Sequence, residues 1–308
     1  MDCMLSTVFG CLWCASGCSA QRVGAHFAFF PPNPPTYTVS TDAQGNPKLR
    51  LGLQRKSTVA NVETGVELIV NSLKEEIAVF YFRVSKPKAV IIFSHGNAMD
   101  CGIIFYYWME MAHRLDVDVY AYDYTGYGAS TGKPSETATY ADITAVYEYI
   151  KQRGVNPKDQ IILYGQSVGT GPSCYLASTQ PVRGLVLHSP MLTGIRVIAN
   201  NDSFCSPACL FRSCDLFPNI RRIPQITAPV FIMHGTDDVV IDISHAHGLL
   251  TNWPKKYIHE PYIVEGAGHD DIYEKDPTEY YNRMQEFIKM SKPEKGSAAL
   301  PPMSITML

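Results

Sequence analysis

Ile161-Ile162-Leu163-Tyr164-Gly165-Gln166-Ser167-Val168-Gly169 reads as a short apolar strand running into a tight turn, followed by small residues that favour a helix. That strand-turn-helix context is what a nucleophile elbow requires. Gly-x-Ser-x-Gly alone arises by chance in roughly one chain in ten of this length, so the context decides. Side chains at 165 and 169 would collide with the neighbouring strand and helix, and a strained turn there lifts the Ser167 hydroxyl above the sheet. A serine hydroxyl is a weak nucleophile at neutral pH, so it needs a base, and the base needs a group that fixes its tautomer.

Both partners are found downstream, each just after a strand-like run. Glu265-Gly266-Ala267-Gly268-His269 precedes the last helical stretch and offers His269 as the base. His234-Gly235-Thr236-Asp237-Asp238 supplies the carboxylate, for which Asp238 is chosen over Asp237. The order Ser167, Asp238, His269 is the one an α/β-hydrolase fold places in a triad. Ser94-His95-Gly96-Asn97-Ala98 follows the run Ala89 to Phe93, and the N–H groups of Asn97 and Val168 are the candidate oxyanion hole. His95 itself reads as structural. Tyr122 to Gly128 lacks a Gly-Lys-Ser/Thr ending and reads as a rim loop, not a phosphate loop. His245-x-His247 has no spaced Cys or carboxylate partner and reads as a helix surface. Neither a metal nor a cofactor is implied.

Outward from the elbow, strand-like runs at 77–83, 89–93, 117–123, 160–164, 184–188, 230–234 and 257–265 alternate with helical patterns at 136–152, 168–179, 242–252 and 276–290. Continuous apolar strands separated by helices predict a mostly parallel sheet covered on both faces. Residues 190–226 break the alternation and read as a small irregular cap. Residues 1–35 read as a Cys-rich anchor and Pro-rich spacer, 36–290 as the hydrolase domain, and 291–308 as a disordered tail.

The chain has 308 residues, 46% hydrophobic and only 18% charged, which suits one large α/β core and excludes a disordered or fibrous chain. With 26 Lys+Arg against 29 Asp+Glu, net charge −3, and no basic block, nucleic acid is not expected as a partner. No apolar run reaches the ~18 residues of a membrane-spanning helix. Nine cysteines, an odd number, argue against a complete disulfide framework, and Cys205, Cys209 and Cys214 have no assigned role. Nor does the N-terminus read as a secretory signal. On a helical wheel Cys3, Cys11, Cys14 and Cys18 fall within about 80°. Several acyl chains on one face would give stable membrane attachment where one would not; the rival for these thiols is a Cys-x2-Cys-x3-Cys zinc site.

These residues together resemble the α/β-hydrolase-domain protein depalmitoylases of the domain-17 group. The resemblance rests on Ala28-Phe29-Phe30-Pro31-Pro32, Phe93 to Ala98, Tyr122 to Pro134, Tyr164 to Gly169, Leu187-His188-Ser189-Pro190, His234 to Asp242 and Val264 to His269. It implies a Ser167–Asp238–His269 triad and an S-palmitoylated N-terminal Cys cluster. It also implies removal of palmitate from cysteines of other membrane-associated proteins on the cytoplasmic face of membranes such as the plasma membrane and endosomes. A monomer is the default expectation. Alternatives with the same fold are a lipid or carboxylester hydrolase and a catalytically silent membrane adaptor; a serine peptidase is less favoured because no gating domain accompanies the chain. An acyl slot around Ile103 to Trp108 competes with core packing. Asp270 stands where relatives are expected to carry Asn, and residues 199–214 look longer and richer in Cys.

Overall fold

The structure, a computed structural model, describes residues 28–52, 59–198 and 215–292. A hairpin of β1 (Tyr37–Thr41) and β2 (Pro47–Leu51) precedes an eight-stranded sheet. The sheet contains β3 (Glu63–Val70), β4 (Glu76–Arg83), β5 (Val90–Ser94), β6 (Asp118–Tyr122), β7 (Ile161–Gln166), β8 (Gly184–His188), β9 (Val230–Gly235) and β10 (Tyr262–Val264). Its order is β10-β9-β8-β7-β5-β6-β4-β3, and only β4 runs against the others.

The central strands are apolar along their middles because both faces are covered, with polar residues such as Ser94, Gln166 and His188 at their carboxyl ends. Val90 and Ile92 point into one layer and Ile91 and Phe93 into the other. The first layer is closed by α2 (Glu136–Gln152), α3 (Thr170–Thr179) and α4 (Ser244–Asn252), the second by α1 (Phe105–Leu115) and α5 (Pro277–Met290). Helix ends carry their own stop signals. Ser135 caps α2 by accepting the Ala138 N–H, Asp276 caps α5 by accepting that of Glu279, and Asp116 ends α1 in the left-handed region.

Three sequence readings change. The run at 257–265 is a strand only over Tyr262–Val264, because Pro261 has no N–H for the ladder and Lys255–Tyr257 coil into a single 3₁₀ turn. Phe105 and Trp108 are core residues of α1, with the Trp108 ring 4.5 Å from Phe93, so core packing accounts for these two of the run, while Ile103 is exposed. The hairpin and β3, unmarked by any strong apolar run, cover the β4 edge of the fold. Phe29, assigned to the spacer, is buried with its ring edge-on to Tyr127 and Phe217. Of the cap, Met191, Leu192, Leu216 and Phe217 are buried in the layer over α3; Cys205, Cys209 and Cys214 lie outside the described residues, as do Cys3, Cys11, Cys14, Cys18 and the tail from 293.

Candidate active site

Strand order reverses between β5, which pairs with β6 on one side, and β7 on the other. Such a switch point opens a crevice at the carboxyl ends of the strands, where α/β sheets place ligands. Because Ser94 is in register with Gly165, the loop after β5 lies beside the turn after β7.

Ser167 has φ of +53°, a conformation disfavoured for a residue with a β-carbon and kept only where the surroundings impose it. The surroundings here are backbone. A β-carbon at 165 would come within 2.5 Å of the Gly169 carbonyl oxygen, and one at 169 within 2.1 Å of that of Ser94. Two hydroxyls stitch the turn to α3: Thr170 donates to the Ser167 carbonyl at 2.6 Å and Ser173 to that of Gly169 at 2.9 Å.

His269 Nε2 lies 2.9 Å from Ser167 Oγ and its Nδ1 lies 2.7 Å from Asp238 Oδ2. The other carboxylate oxygen accepts the N–H groups of Val240 and Ile241 at 2.9 and 2.8 Å. Asp237 is exposed and, among the described residues, its carboxylate accepts only from the Thr236 hydroxyl, so the geometry selects Asp238. Burial works to raise the Asp238 pKa, but hydrogen bonds from His234, His269 and the Ile241 amide prevail and hold the carboxyl well below the usual range. The acid is thus an anion whenever the base is at work.

The loop at 95–97 is fixed rather than free. Asn97 Oδ1 accepts from the Phe30 and Ala98 N–H groups, both at 2.9 Å, and from the Tyr127 hydroxyl at 2.8 Å. With its side chain so engaged, Asn97 has its backbone to offer an oxyanion. A β-carbon at Gly96 would sit 3.7 Å from that of Ser167, so this loop and the N–H of Val168 flank the nucleophile. His95 is fully buried, its Nδ1 2.7 Å from the Gly96 carbonyl and its ring tilted against that of Tyr124 with centroids 4.1 Å apart, a structural role.

His245 and His247 part company: His245 is buried, its Nδ1 accepting the Leu192 N–H at 3.0 Å, whereas His247 is exposed. The helix-surface reading therefore fails for His245. Among the described residues no three His, Cys, Asp or Glu side chains group as metal ligands. Asp270 accepts a hydrogen bond from Gln166 Nε2 at 3.3 Å, tying the base's loop to the elbow.

Three residues went without a role in the sequence. Ser189 Oγ donates to the His269 carbonyl at 3.1 Å. His188 Nδ1 meets the Tyr164 hydroxyl at 2.9 Å, and burial together with the charges of His269 and His234 pushes its pKa down to about 3. His234 Nε2 lies 3.3 Å from Asp238 Oδ2. Their sequence signals were position, at or just after the ends of β8 and β9, and membership of two of the strings that carry the resemblance, neither of which assigned a role.

A Ser–His–Asp array on an elbow at the switch point of a mostly parallel sheet defines an α/β hydrolase of the serine type. A family model described as serine aminopeptidase, S33 matches residues 85–207. The Pyrococcus furiosus esterase Pf2001 superposes with a TM-score of 0.62 at 17% identity, over 75% of this chain and 92% of that one. Human alpha/beta hydrolase domain-containing protein 17B is 36% identical over 287 residues, 90% of this chain and 94% of the relative. Alpha/beta hydrolase domain-containing protein aho-3 of Caenorhabditis elegans is 37% identical over 289 residues, 91% and 81% of the two chains. The chain belongs to the alpha/beta hydrolase domain-containing protein 17 family.

Proposed function

We propose that this protein is a palmitoyl-protein thioesterase, a serine hydrolase that removes S-linked palmitate from cysteines of membrane-associated proteins. The observation that carries the reading is the hydrogen-bonded line Ser167–His269–Asp238 in a chain of this family. His269 takes the Ser167 proton as Oγ attacks the thioester carbonyl, and the oxyanion is held by the N–H groups of Asn97 and Val168. Collapse expels the substrate's cysteine sulfur, which receives the proton from His269, and leaves an acyl-serine. Water, deprotonated by His269, then releases palmitate and restores Ser167. Thiolate leaves readily, so oxyanion stabilisation and positioning of the chain are the protein's main contributions.

Peripheral attachment to the cytoplasmic face of membranes through acylated Cys3, Cys11, Cys14 and Cys18 completes the reading. No helix of the described residues is long and apolar enough to cross a membrane. Phe30, a short way after these cysteines in sequence, bonds its N–H to Asn97. Phe30 is exposed, as are Ile103 in the loop after β5 and Val239 and Val240 in the loop after β9 that carries Asp238. Replacing the four cysteines with Ser is expected to release the protein from membranes; retention would overturn the anchor.

The test of activity is hydrolysis of a palmitoylated peptide by wild type and Ser167→Ala, with fluorophosphonate labelling of both. Loss of cleavage and labelling together in the variant supports the thioesterase. Labelling of wild type without thioester cleavage shifts the assignment to a lipid or carboxylester hydrolase, and wild type inert to both becomes the adaptor.

A further inference from the structure

His234 is the penultimate residue of β9, its imidazole fully buried. Its Nε2 is 2.8 Å from the Ile241 carbonyl oxygen. A carbonyl can only accept, so Nε2 carries the hydrogen, while Nδ1 has no hydrogen-bond partner among the described residues. The same N–H faces Asp238 Oδ2 at 3.3 Å, the very oxygen that receives His269 Nδ1–H. One donor therefore spans two acceptors: the carbonyl that closes the loop 235–241 and the carboxylate oxygen that orients the base.

We infer that His234 is a positioning residue of the triad, acting through Asp238: it fixes which carboxylate oxygen meets His269 and tempers the basicity of that oxygen. The loop shows what is being held. Its tip, Val239, is 95% exposed, while Asp238, one residue earlier, is buried. The Thr236 and Asp237 amides tie the loop's first half to the Val264 and Ala267 carbonyls at 3.0 and 2.9 Å. The return limb closes on His234 through Ile241, and the amides of Val240 and Ile241 thereby aim at Asp238 Oδ1. Without that clamp the carboxylate loses its register toward both its own loop and the base. The inference rests on the triad reading but not on the identity of the acyl substrate.

The charged and titratable groups around His234 are Asp238 and Asp242 from its own loop, His188 from β8, His245 from α4 and His269 from the loop after β10. Of these, Asp238 alone lies within 4 Å of His234 Nε2 as an ion-pair partner. Removing the donor makes Asp238 Oδ2 more basic, so His269 keeps a proton to higher pH and is available as a base over a narrower range.

The experiment compares the full chain, wild type, with His234→Phe, which keeps a ring and no donor, and His234→Gln, whose amide nitrogen reaches the Nε2 position. The substrate is p-nitrophenyl butyrate, followed across pH. His234→Phe is expected to lower kcat about tenfold, the worth of one hydrogen bond to a charged group, with KM unchanged. Its acid limb of kcat/KM moves up by roughly half a pH unit, and His234→Gln restores both. Equal losses in the two variants with the limb unmoved would overturn the inference and leave His234 a packing residue. Should His234→Phe fail to fold, ¹⁵N-histidine spectra of wild type decide: a ring that carries its hydrogen on Nε2 with Nδ1 bare supports the clamp. A ring that carries its hydrogen on Nδ1 with Nε2 bare overturns it. Ser167→Ala is the separate control, since its retention of wild-type turnover would sink the triad itself rather than the role of His234.

Discussion

Gly169 and Ser94 are in backbone contact so close that a β-carbon on the first would stand 2.1 Å from the carbonyl oxygen of the second. The obstacle is main chain of the β5 end and cannot rotate away. Gly169→Ala must therefore push the elbow off the loop that carries Asn97, separating the two proposed oxyanion donors. The expected result is a stability loss of about 1–3 kcal/mol, the usual cost of overpacking, with kcat reduced at least about a hundredfold, as when one oxyanion donor is lost. Thermal melting and ester turnover check it; near-wild-type kcat would show that Val168 and Asn97 need not converge.

The same contact explains why so much of the site could be read in the sequence. The elbow's glycines, the serine between them and the partners at the ends of β9 and β10 are local signals, each attached to one strand end. Asp238 rather than Asp237 also proved the residue that faces His269. What escaped the sequence are non-local relations. The hairpin and β3 have mixed burial and no strong apolar run. The sequence of α1 also suits an acyl slot because Phe105 and Trp108 look alike whether they face a ligand or the core rings of Phe82 and Phe93. His188, His234 and Ser189 acquire roles only when three strand ends meet.

The left-handed conformation of Ser167 makes a prediction about stability that is independent of chemistry. A β-carbon at φ of +53° costs the fold, and glycine relieves it. Ser167→Gly is expected to be more stable than Ser167→Ala by about 1 kcal/mol, or roughly 2–4 °C in Tm. Both are expected to lose kcat by about 10⁴-fold or more. Equal melting temperatures would mean that the turn relaxes once the hydroxyl is gone.

His188 ties activity to a stability profile in pH. Its pKa falls from 6.5 unfolded to about 3 in the fold, chiefly by burial. Between those values the unfolded chain binds a proton that the native state refuses, so stability is present above pH 6.5 and is lost as pH falls toward 3. Asp238, held low, acts in the same direction below its unfolded value. Asp142 opposes them: burial raises it to about 6, so its contribution declines as pH rises from 3.8 through 6. Replacing His188 with Gln removes one acid-destabilising contribution, worth on the order of 5 kcal/mol at the extreme. Urea titrations are expected to give a shallower loss of stability below pH 6.5 in His188→Gln. Parallel curves for the two proteins would show that His188 takes up its proton in the native state.

Tyr127 joins Phe30 to the proposed oxyanion loop. Its hydroxyl donates to Asn97 Oδ1 at 2.8 Å and accepts the Phe30 N–H at 3.0 Å, so one group holds both Phe30 and the loop beside Ser167. Tyr127→Phe keeps the ring contacts with Phe29 and Tyr124 and deletes only this bridge. Asn97 Oδ1 retains its Ala98 and Phe30 donors, so the loop loosens without being lost. A drop in kcat of about fivefold, the net worth of one neutral hydrogen bond, is expected with KM little changed, because the loop acts on the oxyanion and not on the bound chain. Unaltered kcat alongside a lowered Tm would confine Tyr127 to the fold. A rise in KM alone would instead place the bridge on the substrate's path, making Phe30 part of the acyl-binding surface.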